Sequence, residues 1–310
     1  MDPENEDDIG ATFSRASGAS CEDCLVVAQR FREAWGFRPP DGESWLVRQT
    51  AAQTETVFFK RGWYTGLWTS PTGAAFLSDA NGAVHRLPPG ASSEVAGNWV
   101  TDSVNATVMG VWGLSDEHVF AWGLAPDARP AVFGWSGRDW RELPPLEERV
   151  IAMHGLRADA ILAVGEKGLV AIWNGTRWTR MGGVSQEITL GSVHVVSDEE
   201  SYAGSPDGAL YQGSLHGWTA VYDDGEPVGG LAHWQGELWV ASLADSGLSK
   251  LAGRQLQPVK PALRALSLEA RDELLLCTMD AVISTPDGVA FRGRLADDFA
   301  ALLRGKALAF

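Results

Sequence analysis

The chain has 310 residues, of which 45% are apolar and 21% charged, with 35 Gly, 15 Pro and 14 Trp; a chain of that make-up can bury a core and is neither a disordered nor a low-complexity polypeptide. Its 25 basic and 40 acidic residues give a formal net charge of −15, and a field of that sign repels phosphate backbones and anionic lipid, which excludes nucleic acid and membrane as partners and favours a protein with a basic patch. No apolar run approaches the ~20 residues of a spanning helix, and the opening MDPENEDD lacks the features of a secretory signal, so the expected location is cytoplasmic.

Residues 1–19 are acidic and then rich in Ser, Gly and Ala. With so little to bury, they are expected to be a disordered arm, leaving 20–310 as a single domain. Residues 20–36 admit two readings. Val27, Phe31, Ala34 and Trp35 share a helical face that Gly36 would end, whereas Leu25-Val26-Val27 within 24–31 reads as a strand. Cys21 and Cys24 lie two residues apart, but with Cys277 as the only other cysteine neither a disulfide framework nor a four-ligand zinc site is indicated.

From Asp41 onward the pattern is β and repetitive. The clearest unit is Ile161 to Met181, ILAVGEKGLVAIWNGTRWTRM, which reads as three short strands with an Asn174-Gly175 hairpin turn. A tryptophan a few residues after a glycine turn recurs at Trp45, Trp99, Trp140, Trp178 and Trp218, at spacings of 54, 41, 38 and 40 residues. A period near ~40 is that of a four-stranded propeller blade. The long first interval marks an insertion, placed at about 51–62. Equivalent innermost strands are expected at 66–68, 110–112, 152–154, 192–194, 231–233 and 265–267, giving six blades.

The ends supply a seventh. Residues 300–310 match the spacing of the first two strands of a blade, and 24–31 and 44–50 would serve as its third and fourth. The expected fold is therefore an all-β, seven-bladed β-propeller with a split closing blade, which hides the edges of an open ring; six blades plus an N-terminal helix is the alternative.

The run Val164-Gly165-Glu166-Lys167-Gly168 through Trp173-Asn174-Gly175 and Trp178 resembles the repeat of bacterial β-propellers of the sialidase-like, Asp-box group. Ser78-Asp79-Ala80-Asn81-Gly82, Ser205-Pro206-Asp207-Gly208 and Thr285-Pro286-Asp287-Gly288 look like decayed Asp-box turns. The resemblance implies fold and not activity, because such turns do structural work between strands. The arginines and nucleophilic tyrosine of sialidases find no match among Tyr64, Tyr202, Tyr211 and Tyr222, and the Trp-Asp ending of WD40 blades is missing.

His154, His194 and His233 occupy one register of the innermost strand in three consecutive blades, and three imidazoles can hold a metal with an open position. Trp68, Trp112 and Ser267 hold the same register elsewhere, which points instead to wedges between blades whose polar edge meets a backbone group. Hydrolase elbows, phosphate-binding loops and zinc-protease helices are absent from the sequence, and no cofactor is called for. Surplus aromatics at Phe58, Phe59, Trp63 and Tyr64, outside the repeat register, are the candidate partner contacts. These observations favour a non-catalytic protein-binding or scaffold module, such as a subunit or immunity-type partner of a larger assembly. A propeller hydrolase or lyase with its site at the channel mouth and a carbohydrate-binding surface protein are the alternatives.

Overall fold

A computed structural model describes residues 9–32, 42–296 and 298–299. In it every blade is a sheet of four antiparallel strands taken consecutively from the chain. Blade 1 is β1 (Ile9–Ser20), β2 (Asp23–Arg32), β3 (Glu43–Thr50) and β4 (Thr54–Arg61). Blade 2 is β5 (Tyr64–Thr69), β6 (Ala75–Asp79), β7 (Ala83–Leu87) and β8 (Val100–Ser103). Blade 3 is β9 (Thr107–Ser115), β10 (His118–Leu124), β11 (Pro130–Trp135) and β12 (Trp140–Glu142). Blade 4 is β13 (Val150–Arg157), β14 (Ala160–Gly165), β15 (Val170–Trp173) and β16 (Trp178–Arg180). Blade 5 is β17 (Ser192–Ser197), β18 (Glu200–Gly204), β19 (Ala209–Ser214) and β20 (Gly217–Asp223). Blade 6 is β21 (Val228–Trp234), β22 (Glu237–Ser242), β23 (Leu248–Ala252) and β24 (Gln255–Lys260). Blade 7 is β25 (Ser267–Ala270), β26 (Leu274–Cys277), β27 (Ala281–Thr285) and β28 (Arg292–Leu295).

The first strands of the blades pack against one another in ring order, and β1 of blade 1 closes the ring between blades 7 and 2. Seven blades and the six expected inner strands are therefore observed. The split closing blade is not. Residues 24–31 lie in the second strand of blade 1 and 44–50 form its third, and the stretch expected to be an insertion is its fourth strand, β4. The strand β1 comes from the second half of the expected disordered arm, while residues 1–8 and the proposed C-terminal strands at 300–310 lie outside the described residues. The helical reading of 20–36 also gives way over 23–32. There Leu25 and Val27 pack toward blade 2 while Cys24, Val26 and Ala28 pack toward blade 7, an alternation that suits a strand buried on both faces and no helix.

The core is distributed. Each blade junction holds its own apolar cluster, such as Phe120, Trp122, Met153, Ile161 and Trp173 between blades 3 and 4. The 161–181 unit forms as read: Asn174 Oδ1 accepts the N–H groups of Thr176 (3.1 Å) and Arg177 (2.9 Å), Gly175 takes φ +89°, and the rings of Trp173 and Trp178 pair at 5.2 Å.

Topology gives the ring two unlike faces. The second-to-third-strand turns and the links between blades lie on the face from which each first strand enters, here the entry face; the other two turns of each blade lie on the opposite face. Near the entry face the first strands of blades 1, 2, 3, 4 and 6 share a register shift that leaves one residue unpaired: Ser14, Thr65, Met109, Ile151 and Gly229. These are bulges, which bend a strand and aim its extra residue out of the ladder.

Candidate binding surfaces

The three histidines stand where the register placed them, on β13, β17 and β21. The backbone N–H of Val195 donates to His154 Nδ1 at 3.0 Å, and that of His233 to His194 Nε2 at 3.2 Å. The rings of His154 and His194 lie 4.2 Å apart at 33°, and Trp112 lies 5.3 Å from His154 on the other side. His154 and His194 thus each bridge to the next blade as acceptors, a role open only to an unprotonated nitrogen. Burial, with the neighbouring His194, holds His154 well below the ordinary histidine range; burial, with His233, lowers His194 to about 4. Among the described residues no group of three His, Cys, Asp or Glu side chains converges as a metal site would require. What this array does chemically is to fill blade junctions and satisfy backbone amides.

The four candidate aromatics do not form one patch. Successive residues of β4 point to opposite faces of blade 1, so Phe58 packs on Trp99 (5.0 Å) and His85 (5.8 Å) toward blade 2, while Phe59 covers Trp45 at 4.6 Å and remains 39% exposed. Tyr64 is only 4% exposed, with the Lys60 ammonium 5.6 Å from its ring centre, and burial raises its hydroxyl pKa. It belongs to the junction core and offers no surface to a partner. Trp63 is half-buried in the link to blade 2, its carbonyl accepting the N–H of Ala80 at 3.2 Å.

The Asp-box-like turns are structural. Asp79 Oδ1 accepts the N–H groups of Asn81 (2.8 Å) and Ala83 (3.0 Å) between β6 and β7, and Asp287 Oδ1 accepts those of Val289 and Ala290 at 2.8 Å between β27 and β28.

Sequence reasoning missed one long loop. The third-to-fourth-strand connection of blade 2 spans residues 88–99, whereas its counterparts elsewhere run from two to six residues. It folds on itself through Asn98 Nδ2 to Ser92 O (3.0 Å) and Trp99 Nε1 to Ser93 O (3.2 Å). The signal was present as the 54-residue interval between Trp45 and Trp99 and as the turn-rich run Pro88-Pro89-Gly90, but the extra length was placed upstream. Trp45 was the cause: it sits in the third strand of its blade, not the fourth as Trp140, Trp178 and Trp218 do.

The loop walls a cleft of about 370 Å³ on the opposite face, where blades 1, 2 and 7 meet. Arg271 crosses from blade 7 at the floor, donating to the carbonyl of Thr69 and to its Oγ1 (2.8 Å) and pairing with Glu269. Arg48, paired with Asp23, stands on the blade 1 side, and Ser92, Ser93 and Glu94 stand on the loop side. Leu25, Ala75, Leu87 and Ala91 supply apolar wall, and among the described residues no aromatic ring lines the space. Guanidinium, hydroxyl and carboxylate groups facing one another over a small apolar base can hydrogen-bond a polypeptide, while a sugar or nucleobase would find no stacking platform.

No protein-family model matches the chain, and no curated protein resembles it in sequence. Solved structures do resemble it in fold. The WD40 β-propeller domain of Doa1 is 13% identical, with a TM-score of 0.64 over 89% of this chain and 96% of that one. YCF48, solved bound to D1 peptide, is 10% identical, with a TM-score of 0.60 over 90% and 94%. A puromycin-hydrolyzing peptidase of Mycobacterium tuberculosis is 14% identical, with a TM-score of 0.65 over 92% of this chain but 53% of that one. At these identities the likeness shows the fold, a seven-bladed propeller of WD40-like architecture.

Proposed function

We propose that this chain is a non-catalytic protein-binding module, a subunit of a larger assembly that receives a polypeptide segment of its partner. The observation that carries the reading is the cleft beneath the 88–99 loop: a long connection on a ring of short ones is where such a scaffold places recognition, and its lining suits peptide groups. Support of a weaker kind comes from fold analogy, since one structural neighbour was solved with a peptide bound. The net charge of −15 favours a partner with a basic surface, through faster encounter more than through affinity. A kinship of the repeat with Asp-box propellers belongs to this proposal only as a reading of the residues, since the Asp-anchored turns at Asp79 and Asp287 occupy different places in their blades.

The test is affinity capture from the native host with the full chain and with a variant whose 88–99 loop is replaced by a short turn, followed by kinetics at two salt concentrations. A protein retained by the first and lost by the second, with association slowed by salt, is expected. Retention of no protein, together with binding of a sugar or turnover of an ester or peptide, would replace this reading with an enzyme or a carbohydrate binder.

A further inference from the structure

The bulges at the entry face do more than bend strands. A bulged residue has no partner opposite it in the backbone ladder, and because it lies on the innermost strand it borders the axial opening. On the side of blades 3 to 6 these positions are apolar. Met109 is 37% exposed, and Ile151 follows it in blade 4. In blade 6 the position is Gly229, where a Cβ would meet the backbone oxygen of Ala265 at 2.6 Å; the apolar group beside it is Leu243 of the adjacent turn, 3.1 Å from that Cβ position and itself 38% exposed. On the side of blades 1 and 2 the equivalent residues are Ser14 and Thr65. Blades 3, 4 and 6 thus bring apolar groups to the rim at these positions, whereas blades 1 and 2 bring hydroxyls that bond within their own sheets.

Charge is distributed in the same sense. In blades 4 and 5 and the links on either side of them, Glu147, Glu187, Asp207, Asp223 and Asp224 are all exposed on the entry face, and none forms an ion pair among the described residues. The nearby arginines are already engaged, Arg149 with Glu166 and Arg180 with Glu148, which leaves Lys167 as the single exposed cation of that sector without an ion pair among the described residues. Apolar groups on an axial rim, with uncompensated carboxylates just outside them, match a partner that presents the reverse: apolar side chains flanked by cations.

We infer that the entry face between blades 3 and 6 is a second docking surface, and that its occupant is a cationic amphipathic segment of a protein, with apolar side chains against Met109, Ile151 and Leu243 and Lys or Arg over the acidic links. The complementarity in charge selects this occupant over an anionic bilayer or a second copy of this acidic chain, both of which the same carboxylates repel. The inference takes its class of partner from the protein-binding reading but uses the other face, so the two fail separately.

The experiment is fluorescence anisotropy of the full chain with a short labelled peptide of leucine and lysine patterned as an amphipathic helix, beside a lysine-only peptide of equal charge. Binding of the leucine–lysine peptide should weaken roughly tenfold in Met109→Ser/Ile151→Ser, and should weaken and lose its salt dependence in Glu187→Gln/Asp224→Gln. Glu199→Gln, on the opposite face, should leave it unchanged. Met109, Glu187, Glu199 and Asp224 are exposed and Ile151 is half-buried, and unaltered melting temperatures would show the variants folded. Equal binding of the lysine-only peptide, indifference to the paired substitutions, or absence of binding would each overturn the inference. So would self-association of the chain, or capture by anionic vesicles, that is relieved by Met109→Ser/Ile151→Ser. A partner still lost on trimming the 88–99 loop but indifferent to Met109→Ser/Ile151→Ser would leave the protein-binding reading intact and remove this one.

Discussion

Replacing Phe299 with Ala should open the ring at one place before it unfolds anywhere else. Among the described residues blades 1 and 7 share no strand, so their junction is made without the continuous backbone ladder of a split blade. It is held by two bonds to Met279 O, from Phe13 N and Thr12 Oγ1, both 2.8 Å, by Cys21 N to Ser284 Oγ at 3.1 Å, by Arg292 and Arg294 near Glu22, and by a shared apolar cluster. Phe299, 1% exposed, lies beyond β28 and inserts into that cluster with its ring 6.4 Å from Phe13 and 6.5 Å from Trp45. Truncating a buried Phe costs about 3–5 kcal/mol, a large share of the ~5–15 kcal/mol that usually stabilises a domain. The junction carries its own reporter, because Cys21, Cys24 and Cys277 are free and buried in the same cluster. Burial raises the Cys24 thiol and lifts Cys277 to about 12, so in the closed ring these thiols are protonated and unreactive. Phe299→Ala should lower the denaturation midpoint and make the thiols react with an aromatic disulfide reagent at denaturant concentrations below the main transition. Phe133→Ala, in the outer part of blade 3, should destabilise without that early reaction. If Phe299→Ala shifts stability by less than ~0.5 kcal/mol, or its thiols appear only with global unfolding, the junction is not closed by this side chain and the reasoning fails.

The histidine bridges predict a pH dependence. His194 lies at about 4 in the folded chain against ~6.5 unfolded, so the unfolded state binds the proton more tightly; the contribution is complete above pH ~6.5 and is lost as pH falls toward 4. For His194 alone this is at most ~3 kcal/mol, with His154 adding in the same direction, and urea midpoints across that window should fall less steeply in His194→Gln. Gly18→Ala should destabilise by roughly 1–3 kcal/mol in thermal melts, since its Cβ would lie 2.4 Å from Asp23 O and 2.5 Å from Cys24 Cα, both backbone atoms; a neutral outcome would mean that β1 and β2 separate more easily than their pairing implies. The paired substitutions at Met109 and Ile151 should leave the melting temperature within about 0.5 kcal/mol equivalent of the parent while changing binding.

Strands that repeat a common pattern could be read from the residues, and strands that deviate could not. The six inner strands carried enough glycine, tryptophan and histidine at fixed spacing to be located to within a few residues. In blade 1 the two middle strands were read, at 24–31 and 44–50, though as the third and fourth of their blade; its innermost and outermost strands escaped, each for a physical reason. The innermost strand, IGATFSRASGAS, has small residues where the chain must approach β2, as Gly18 shows, and so resembles a flexible arm. The outermost, TETVFFKR, buries only Val57 fully and reads as an insertion because an outer strand has one solvated edge. Among the candidate site residues, the register of the three histidines was legible and the acceptor role of His154 and His194 was foreseen in kind. The burial of Tyr64 was not, since a tyrosine beside a tryptophan in a connecting segment gives no sign of which way it turns. The cleft and the bulge ring arise from loops and register shifts, which periodicity blurs.

The recurrence of the bulge gives this ring a set of interchangeable positions. Ser14, Thr65, Met109 and Ile151 stand outside both the backbone ladders and the junction clusters, so drift at these four disturbs folding little while it alters what the axial opening presents; Gly229, whose Cβ would meet Ala265 O at 2.6 Å, is the fixed member of the set. A lineage could therefore rewrite the chemistry of that rim one blade at a time without rebuilding the scaffold, and a designer could do the same by grafting a chosen alphabet of side chains onto it.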